Sequence, residues 1–269
     1  MANSNNGDRL DAVPGQKSTK YRLEAGAQVI GLIGARALES LASELRPIAC
    51  QTCHDPLSGV ADLSADAVLA TLEVVLSAHH PSCRPSDLRM SRELVVGNPT
   101  AVVTAWVLPE QPPKGHRAGD VVVVVNPSCD QLIARQQGFL RRRWTNVTLD
   151  DLRPLGFQPA GSRGVNALHG VSARLNGDAL TIAAKTEHTT ANAAIIPDAV
   201  AATIDNTWVV SDLPPDVLDA FATSATVTIA VTMQILPTAL AQDNIAGGLT
   251  NRTTMLGKVS LDTHDAPER

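Results

Sequence analysis

Aromatic side chains are scarce in this sequence. Three Trp, three Phe and one Tyr make up 3% of its 269 residues. Extended stacking surfaces for nucleobases or sugars are therefore not expected, because such surfaces are built largely from aromatic rings. Hydrophobic residues still account for 44% of the chain, so Ala, Val, Leu and Ile must fill a core of ample size.

The sequence also lacks segments that direct a protein to or across a membrane. Its first 20 residues, MANSNNGDRLDAVPGQKSTK, contain neither a positively charged start nor an apolar stretch. They do not resemble a secretory signal and are predicted to form a disordered tail (1–20). The most apolar early run, GAQVIGLIGA, is too short to span a bilayer. We therefore expect a soluble, cytoplasmic protein without membrane partners.

Positive charge is concentrated in one part of the chain. Residues 84–143 carry nine basic and five acidic side chains, whereas the whole chain has a net charge of −5. The stretch ends in RRRW, so Arg141, Arg142 and Arg143 are candidate contacts for a nucleic acid. Adjacent arginines are also common in solvated turns and at strand edges, and the negative net charge favours weak binding at best.

The N-terminal part has the apolar spacing of helices. Apolar residues at intervals of three and four predict an amphipathic helix over 21–46, which Pro47 ends; they are Ile30, Ile33, Ala37, Leu41 and Leu45. A second helix is predicted over 64–79, before Pro81. These two helices would form an N-terminal module over residues 21–90.

The rest of the chain has the alternation of β-strands. The segments TAVVTAWVL (100–108), DVVVVVN (120–126) and TVTIAVTMQIL (226–236) predict strands, the second of them buried on both faces. Asn176-Gly177 predicts a hairpin turn, and PPDVLDAFATSA predicts a helix opened by prolines. The predicted fold class is thus α+β: a helical N-terminal module followed by an α+β domain (95–260) with a mainly antiparallel sheet.

Cysteine and histidine form the main chemical motif. Cys50, Cys53 and His54 spell C-x-x-C-H, and Cys83 closes a second segment, SAHHPSC. Zn²⁺ prefers four tetrahedral N or S ligands, which proteins often supply as two closely spaced pairs. The spacer between the pairs, a loop plus a predicted helix, can return the chain to its start. The stretch 50–83 therefore resembles treble-clef-like zinc sites at the level of the motif, which makes 21–90 a helical zinc-binding module.

The same residues allow other interpretations. Haem attachment would need export of the chain and a further axial ligand, for which Met90 is the nearest candidate, and it leaves Cys83 unused. A thioredoxin-like dithiol would end a strand and open a helix, whereas this motif follows a predicted helix. The cysteines could also be separate buried residues, and a disulfide is disfavoured in a reducing compartment. Zinc accounts for more of the motif than any of these.

The histidine of the zinc site is His79 or His80. Both continue apolar rows of the predicted helix, so periodicity does not decide between them. Because Pro81 pushes the preceding residue out of helical geometry, we favour the earlier histidine and leave the later one open. Four protein ligands leave no position for a substrate, so the zinc would be structural. The expected ligand set is Cys50, Cys53, His79 and Cys83.

Cys129, directly after the buried strand, is a second candidate for chemistry. With His169 or His188 as base it would support a cysteine-dependent hydrolase or transferase, if the following residues DQLIARQ form a helix that activates the thiol. No family signature surrounds this cysteine, and packing explains a small residue there more simply. The sequence thus favours a non-enzymatic, zinc-stabilised binding protein that docks to protein or nucleic acid. The Thr-, Ala- and Val-rich C-terminal half leaves open a structural or accessory component of a larger assembly.

Overall fold

Two β-sheets form the framework of the described part of the chain. The computed structural model describes residues 21–68, 70–92, 101–112, 116–127, 131–138, 143–162, 164–188, 202–233, 249 and 254–263. The α-helices within these residues are α1 (Ala27–Ile33), α2 (Ala35–Glu44) and α3 (Pro215–Thr223), and a 3-10 helix spans Asp150–Leu155. The strands are β1 (Tyr21–Ala25), β2 (Gly59–Val68), β3 (Glu73–His79), β4 (Leu88–Ser91), β5 (Val102–Val107), β6 (Val121–Asn126), β7 (Gln131–Gln137), β8 (Arg143–Asn146), β9 (Gln158–Pro159), β10 (Val171–Asn176), β11 (Ala179–His188), β12 (Ala202–Val210), β13 (Thr226–Val231) and β14 (Met255–Thr263).

The first sheet is built around the antiparallel pair β2 and β3. Strand β7 pairs with β3, and β8 pairs with β7. The other edge of β2 carries two short parallel strands, since β1 pairs with residues 59–63 and β4 with residues 65–68. Strands β1 and β4 therefore lie one after the other along the same side of β2.

Helices α1 and α2 cover one face of the first sheet. Because side chains alternate between the faces of a strand, every second residue of β2 and β3 points at the helices. The core between them contains Val29, Ile33, Leu38, Leu41, Leu63, Ala65, Val74, Leu76 and Leu132. Gly34 separates the two helices at φ +88, a value that favours glycine. The single helix predicted over 21–46 is thus a strand followed by two short helices.

The helix predicted over 64–79 is wrong, because this segment is the β2–β3 hairpin. Its dense Ala, Val and Leu residues satisfy a period of two as well as a helical spacing, and the inward row Leu63, Ala65, Ala67 has the period of a strand. The turn between the two strands has no recognisable signal in the sequence. Its residue Leu72 adopts φ +54, where turn formation usually selects Gly or Asn.

The second sheet runs in the order β12-β11-β10-β14-β13-β6-β5, with β9 paired to β14. It curves so strongly that its outer strands β12 and β5 contact each other, which gives the sheet a barrel-like form. Its concave face encloses the largest apolar core, which α3 closes with Val217 and Phe221. Strands β5, β6 and β13, helix α3 and the β10–β11 hairpin lie where the sequence predicts them.

The α+β fold class is corrected by this architecture. The chain is mostly β, and the helical N-terminal module is not formed, since a sheet takes the place of its second helix. The division into 21–90 and 95–260 stays a prediction, although β7 and β8 join the first sheet from far along the chain. No α-helix in the described part of the chain has the length and apolarity that crossing a membrane requires.

Candidate metal centre

The first two cysteines lie on a tight turn before β2. The turn is closed by a hydrogen bond from the His54 N–H to the Cys50 carbonyl, 2.8 Å long. The Cys50 N–H in turn donates to the Asp55 carbonyl at 2.9 Å. His54 adopts φ +63, an uncommon conformation in which His is enriched among non-glycine residues. The turn brings the two cysteines, three residues apart, to one side of the chain.

A second turn of the same kind follows β3. The N–H groups of Cys83 and Arg84 both donate to the His80 carbonyl, at 2.9 and 3.1 Å. The first and fourth residues of this turn, His80 and Cys83, thus have the same relation as Cys50 and Cys53. A hydrogen bond of 3.0 Å from the Gln51 N–H to the Ala78 carbonyl holds the two turns side by side.

The two turns bring four possible metal ligands together. The ligand atoms of Cys50, Cys53, His80 and Cys83 all lie within 4.8 Å of one another, and the three thiols are not in disulfides. The Cys53 Sγ lies 3.4 Å from the His80 Nδ1. Tetrahedral zinc with ordinary bond lengths would place such S and N atoms about 3.6 Å apart. This pair is thus already close to the tetrahedral distance, and the four side chains can hold a metal ion once the more widely spaced ligand atoms move closer together.

The thiol of Cys50 is surrounded by hydrogen-bond donors. It is buried, and its Sγ accepts from the N–H groups of Thr52 at 3.4 Å and His80 at 3.3 Å. Burial raises the pKa of Cys50, but these bonds and one from the Cys53 N–H outweigh it and bring the pKa to about 6. This thiol is ready to act as a thiolate ligand.

Cys53 behaves in the opposite way. The N–H of Asp55 lowers the pKa of Cys53, but lost hydration and the neighbouring thiols of Cys50 and Cys83 raise it to about 11. Cys50 thus ionises readily, whereas Cys53 resists ionisation beside it. A bound cation would remove this resistance, because it supplies the charge that adjacent thiolates need.

His80 is oriented for coordination. Its Nε2 donates to the Pro56 carbonyl at 3.1 Å, since a carbonyl can only accept. A neutral ring then carries its lone pair on Nδ1, the atom that faces Cys53. Metal-binding histidines almost always donate their other N–H to a carbonyl, carboxylate or water in this way.

His79, the histidine favoured from the sequence, lies outside the cluster. Its Nδ1 is 2.9 Å from the Thr52 hydroxyl and its Nε2 is 2.8 Å from the Ser77 hydroxyl. Burial and the positive charge of Arg84 lower its pKa to about 4. The expectation followed from the helix, whereas in a strand adjacent side chains point to opposite faces. The equal spacing of C-x2-C and H-x2-C is the sequence signal that indicates His80.

Arg84 fixes the second turn to the sheet. Its guanidinium donates to both carboxylate oxygens of Asp66 on β2, at 3.1 and 3.0 Å. It also donates to Asp87, at 3.0 Å from Nε and 2.8 Å from Nη2. Arg84 directly follows Cys83, so these bonds position one end of the ligand cluster.

The other candidate residues are not brought together in the described part of the chain. Cys129, Arg141 and Arg142 lie outside the described residues. His169 is exposed in the loop before β10, and His188 is the last residue of β11. The segment after Cys129, proposed as an activating helix, is strand β7 from residue 131 onward. Arg143 is exposed on β8.

Comparisons with protein-family models, with curated proteins and with solved structures give no match for this chain. Its functional interpretation therefore depends on the geometry of the cluster itself.

Proposed function

We propose that this chain is a non-enzymatic binding protein whose first sheet is stabilised by a structural zinc ion. The ligands in this proposal are Cys50, Cys53, His80 and Cys83. The observation that carries it is the orientation of His80, whose Nε2–H is bound to the Pro56 carbonyl while Nδ1 faces Cys53 at 3.4 Å. One buried, one exposed and one half-buried cysteine would not produce this arrangement of the imidazole by packing alone.

The chemistry of the donor set favours zinc over other divalent ions. Three sulfurs and one imidazole nitrogen form a soft, four-coordinate set that is typical of structural zinc sites. Four protein ligands close the coordination sphere, so no position remains for a substrate or an activated water. This closed sphere supports a structural metal and a non-enzymatic protein. The free thiols fit the reducing cytoplasm that the sequence analysis predicts.

The metal would join parts of the chain that otherwise hold each other weakly. The apolar cluster beneath the site is small, with Cys50, Leu57, Ala61 and Ala78 as its buried members. Zinc bound across the two turns would hold the start of β2 to the end of β3. Since such sites rarely form in the unfolded chain, the free energy of binding contributes directly to folding.

Metal content and two adjacent histidines provide the test. Natively purified protein should contain about one zinc per chain by mass spectrometry of metals. His80→Asn and Cys50→Ser should lose it, because each removes a ligand. His79→Asn is the matched control, one position away, and should retain it. Metal-free folded protein, or zinc lost from His79→Asn and kept by His80→Asn, would contradict the proposal.

Docking to a protein or to a nucleic acid can be separated by salt dependence. Binding of a duplex through Arg141, Arg142 and Arg143 should weaken steeply with salt, and alanine at each should reduce the slope by about one. We expect weak binding at best, because the net charge is −5. If no duplex binds even at low salt, the three arginines do not contact phosphates and docking to a duplex is excluded.

A further inference from the structure

The outer edge of β1 is a surface that can pair with another strand. Within the described residues, the strand that pairs with residues 22–25 is β2, so the other side of these residues presents backbone N–H and C=O groups. Proteins usually protect such an edge, because it is a template for adding a strand. The edge also lies beside an apolar groove.

The groove lies between β1 and the two helices. It has a volume of about 210 Å³ and is lined mainly by apolar side chains, among them Leu23, Ile30, Leu38 and Leu63. Ile30, one of these residues, is 38% exposed, so the groove is open to solvent on that side. A strand added to β1 would shield both the edge and this groove from water.

The same edge continues into β4, which carries another exposed apolar residue. Met90 is 49% exposed and is paired in register with Ala67, a residue of the core under the helices. Of the three large exposed hydrophobic residues in the described chain, Ile30 and Met90 therefore lie along this one side of β2. Both add apolar surface to this side of the sheet.

The charges on β1 identify the partner. The strand reads Tyr21-Arg22-Leu23-Glu24-Ala25, and Arg22 and Glu24 are exposed neighbours on one face that form an ion pair. In an antiparallel pair of identical strands about a two-fold axis, residues of the same face lie opposite each other. An axis through Leu23 places each arginine opposite the other copy's glutamate. Axes through Arg22 or Glu24 would instead oppose like charges, which is unfavourable.

We infer that two copies of this chain associate through antiparallel pairing of their β1 strands, centred on Leu23. The two first sheets would then form one continuous sheet. On the exposed face, the two Arg22–Glu24 pairs would be interchain contacts. On the helix face, the leucines of both copies would meet at the mouths of the two grooves. This association does not depend on the metal, since β1 contributes no ligand.

Charge reversal and charge exchange test this register. Sedimentation equilibrium of the full chain should show a dimer, and Arg22→Glu or Glu24→Arg should each weaken it about tenfold, because each change opposes like charges twice. The double variant R22E/E24R should restore the dimer, since it only exchanges the partners. Arg153→Glu, an equal charge change in an exposed pair on the 3-10 helix, is the control and should have no effect.

Two results would overturn the inference. One is a monomer at all concentrations up to about millimolar, where even weak specific dimers assemble. The other is a dimer that the double variant weakens as much as the single variants do, because a contact elsewhere would not recover on charge exchange. Zinc content, measured on the same samples, should stay unchanged in every variant. Loss of the dimer and failure of the metal site are therefore distinguishable.

Discussion

Replacing Arg84 should weaken both the first sheet and the metal site. The guanidinium joins the turn after Cys83 to Asp66 through two parallel bonds of 3.1 and 3.0 Å, and it binds Asp87 as well. Arg84→Ala removes these bonds and leaves the Asp66 carboxylate without the partner that offsets its partial burial. Arg84→Lys keeps the charge but cannot reproduce the planar, two-pronged contact.

The magnitude follows from the exposure of the pair. Removing one partner of a fully buried ion pair costs about 3–5 kcal/mol, whereas an exposed pair contributes about 0–1 kcal/mol. The Arg84 side chain is 14% exposed and that of Asp66 is 24% exposed, which places this pair between the two limits. We expect Arg84→Ala to lower the free energy of unfolding by about 2 kcal/mol, and Arg84→Lys by about 1 kcal/mol.

Urea unfolding at pH 7 and fixed free zinc measures the change in stability. Competition with a chelator measures the change in zinc affinity. Because positioning contacts around metal ligands typically change affinity 10- to 100-fold, zinc should bind about tenfold more weakly in Arg84→Ala. Arg89→Ala is the control, since Arg89 is 63% exposed and pairs with Asp87, not with Asp66, among the ion pairs of the described residues. Equal stability and equal zinc affinity of Arg84→Ala and Arg89→Ala would contradict this prediction.

Two further predictions concern the second sheet and its loops. Burial and the charge of Lys258 lower the pKa of His116 in the folded protein below the value of 6.5 that it has in the unfolded chain. As the pH falls below 6.5, the unfolded chain therefore binds a proton at His116 that the folded protein does not yet bind. The free energy of unfolding decreases over this pH range. Thermal unfolding of His116→Gln should show less of this acid sensitivity, and an unchanged pH profile would contradict the prediction. A Cβ on Gly257 would lie 2.1 Å from the Leu168 side chain, so Gly257→Ala should cost about 1–3 kcal/mol through overpacking. In a protein that already carries Leu168→Ala, Gly257→Ala should lower stability much less, because the clashing side chain is gone. If the stability losses of the two single variants add up to that of the double variant, overpacking is not the cause.

The sequence predicts the second sheet better than the first. Strand β6 is a run of valines and the β10–β11 turn contains Asn-Gly, so pattern and turn chemistry agree there. In the β2–β3 hairpin the apolar residues are too dense for one period to stand out, and Leu72 takes a turn conformation without any sequence signal. The strong curvature and the addition of β7 and β8 to the first sheet come from tertiary packing, which local periodicity does not encode.

The candidate metal centre is likewise predictable from the sequence in part only. Three of the four clustered residues follow from motif spacing, because C-x2-C and a later cysteine are a common part of four-ligand metal sites. The choice of histidine depends on the conformation of the preceding segment. If the segment were a helix, His79 would be its last residue and the natural ligand. The segment is a strand, and at its end His80 points toward the cysteines while His79 points toward Ser77. The secondary structure of this segment thus decides which of two adjacent histidines joins the cluster.

The pairing of β3 with β7 bears on how the chain folds during synthesis. Strand β3 ends at His79, but the strand that covers its edge begins only at Gln131, after β5 and β6 of the other sheet have been made. Contacts of such sequence separation form slowly, because a long loop must close first. A nascent chain that stops before Gln131 would expose the edge of β3, with its apolar residues Val74 and Leu76, to other nascent chains. Early zinc binding would hold the open end of the β2–β3 hairpin together, beside the pair Asp62 and His79, until β7 is made.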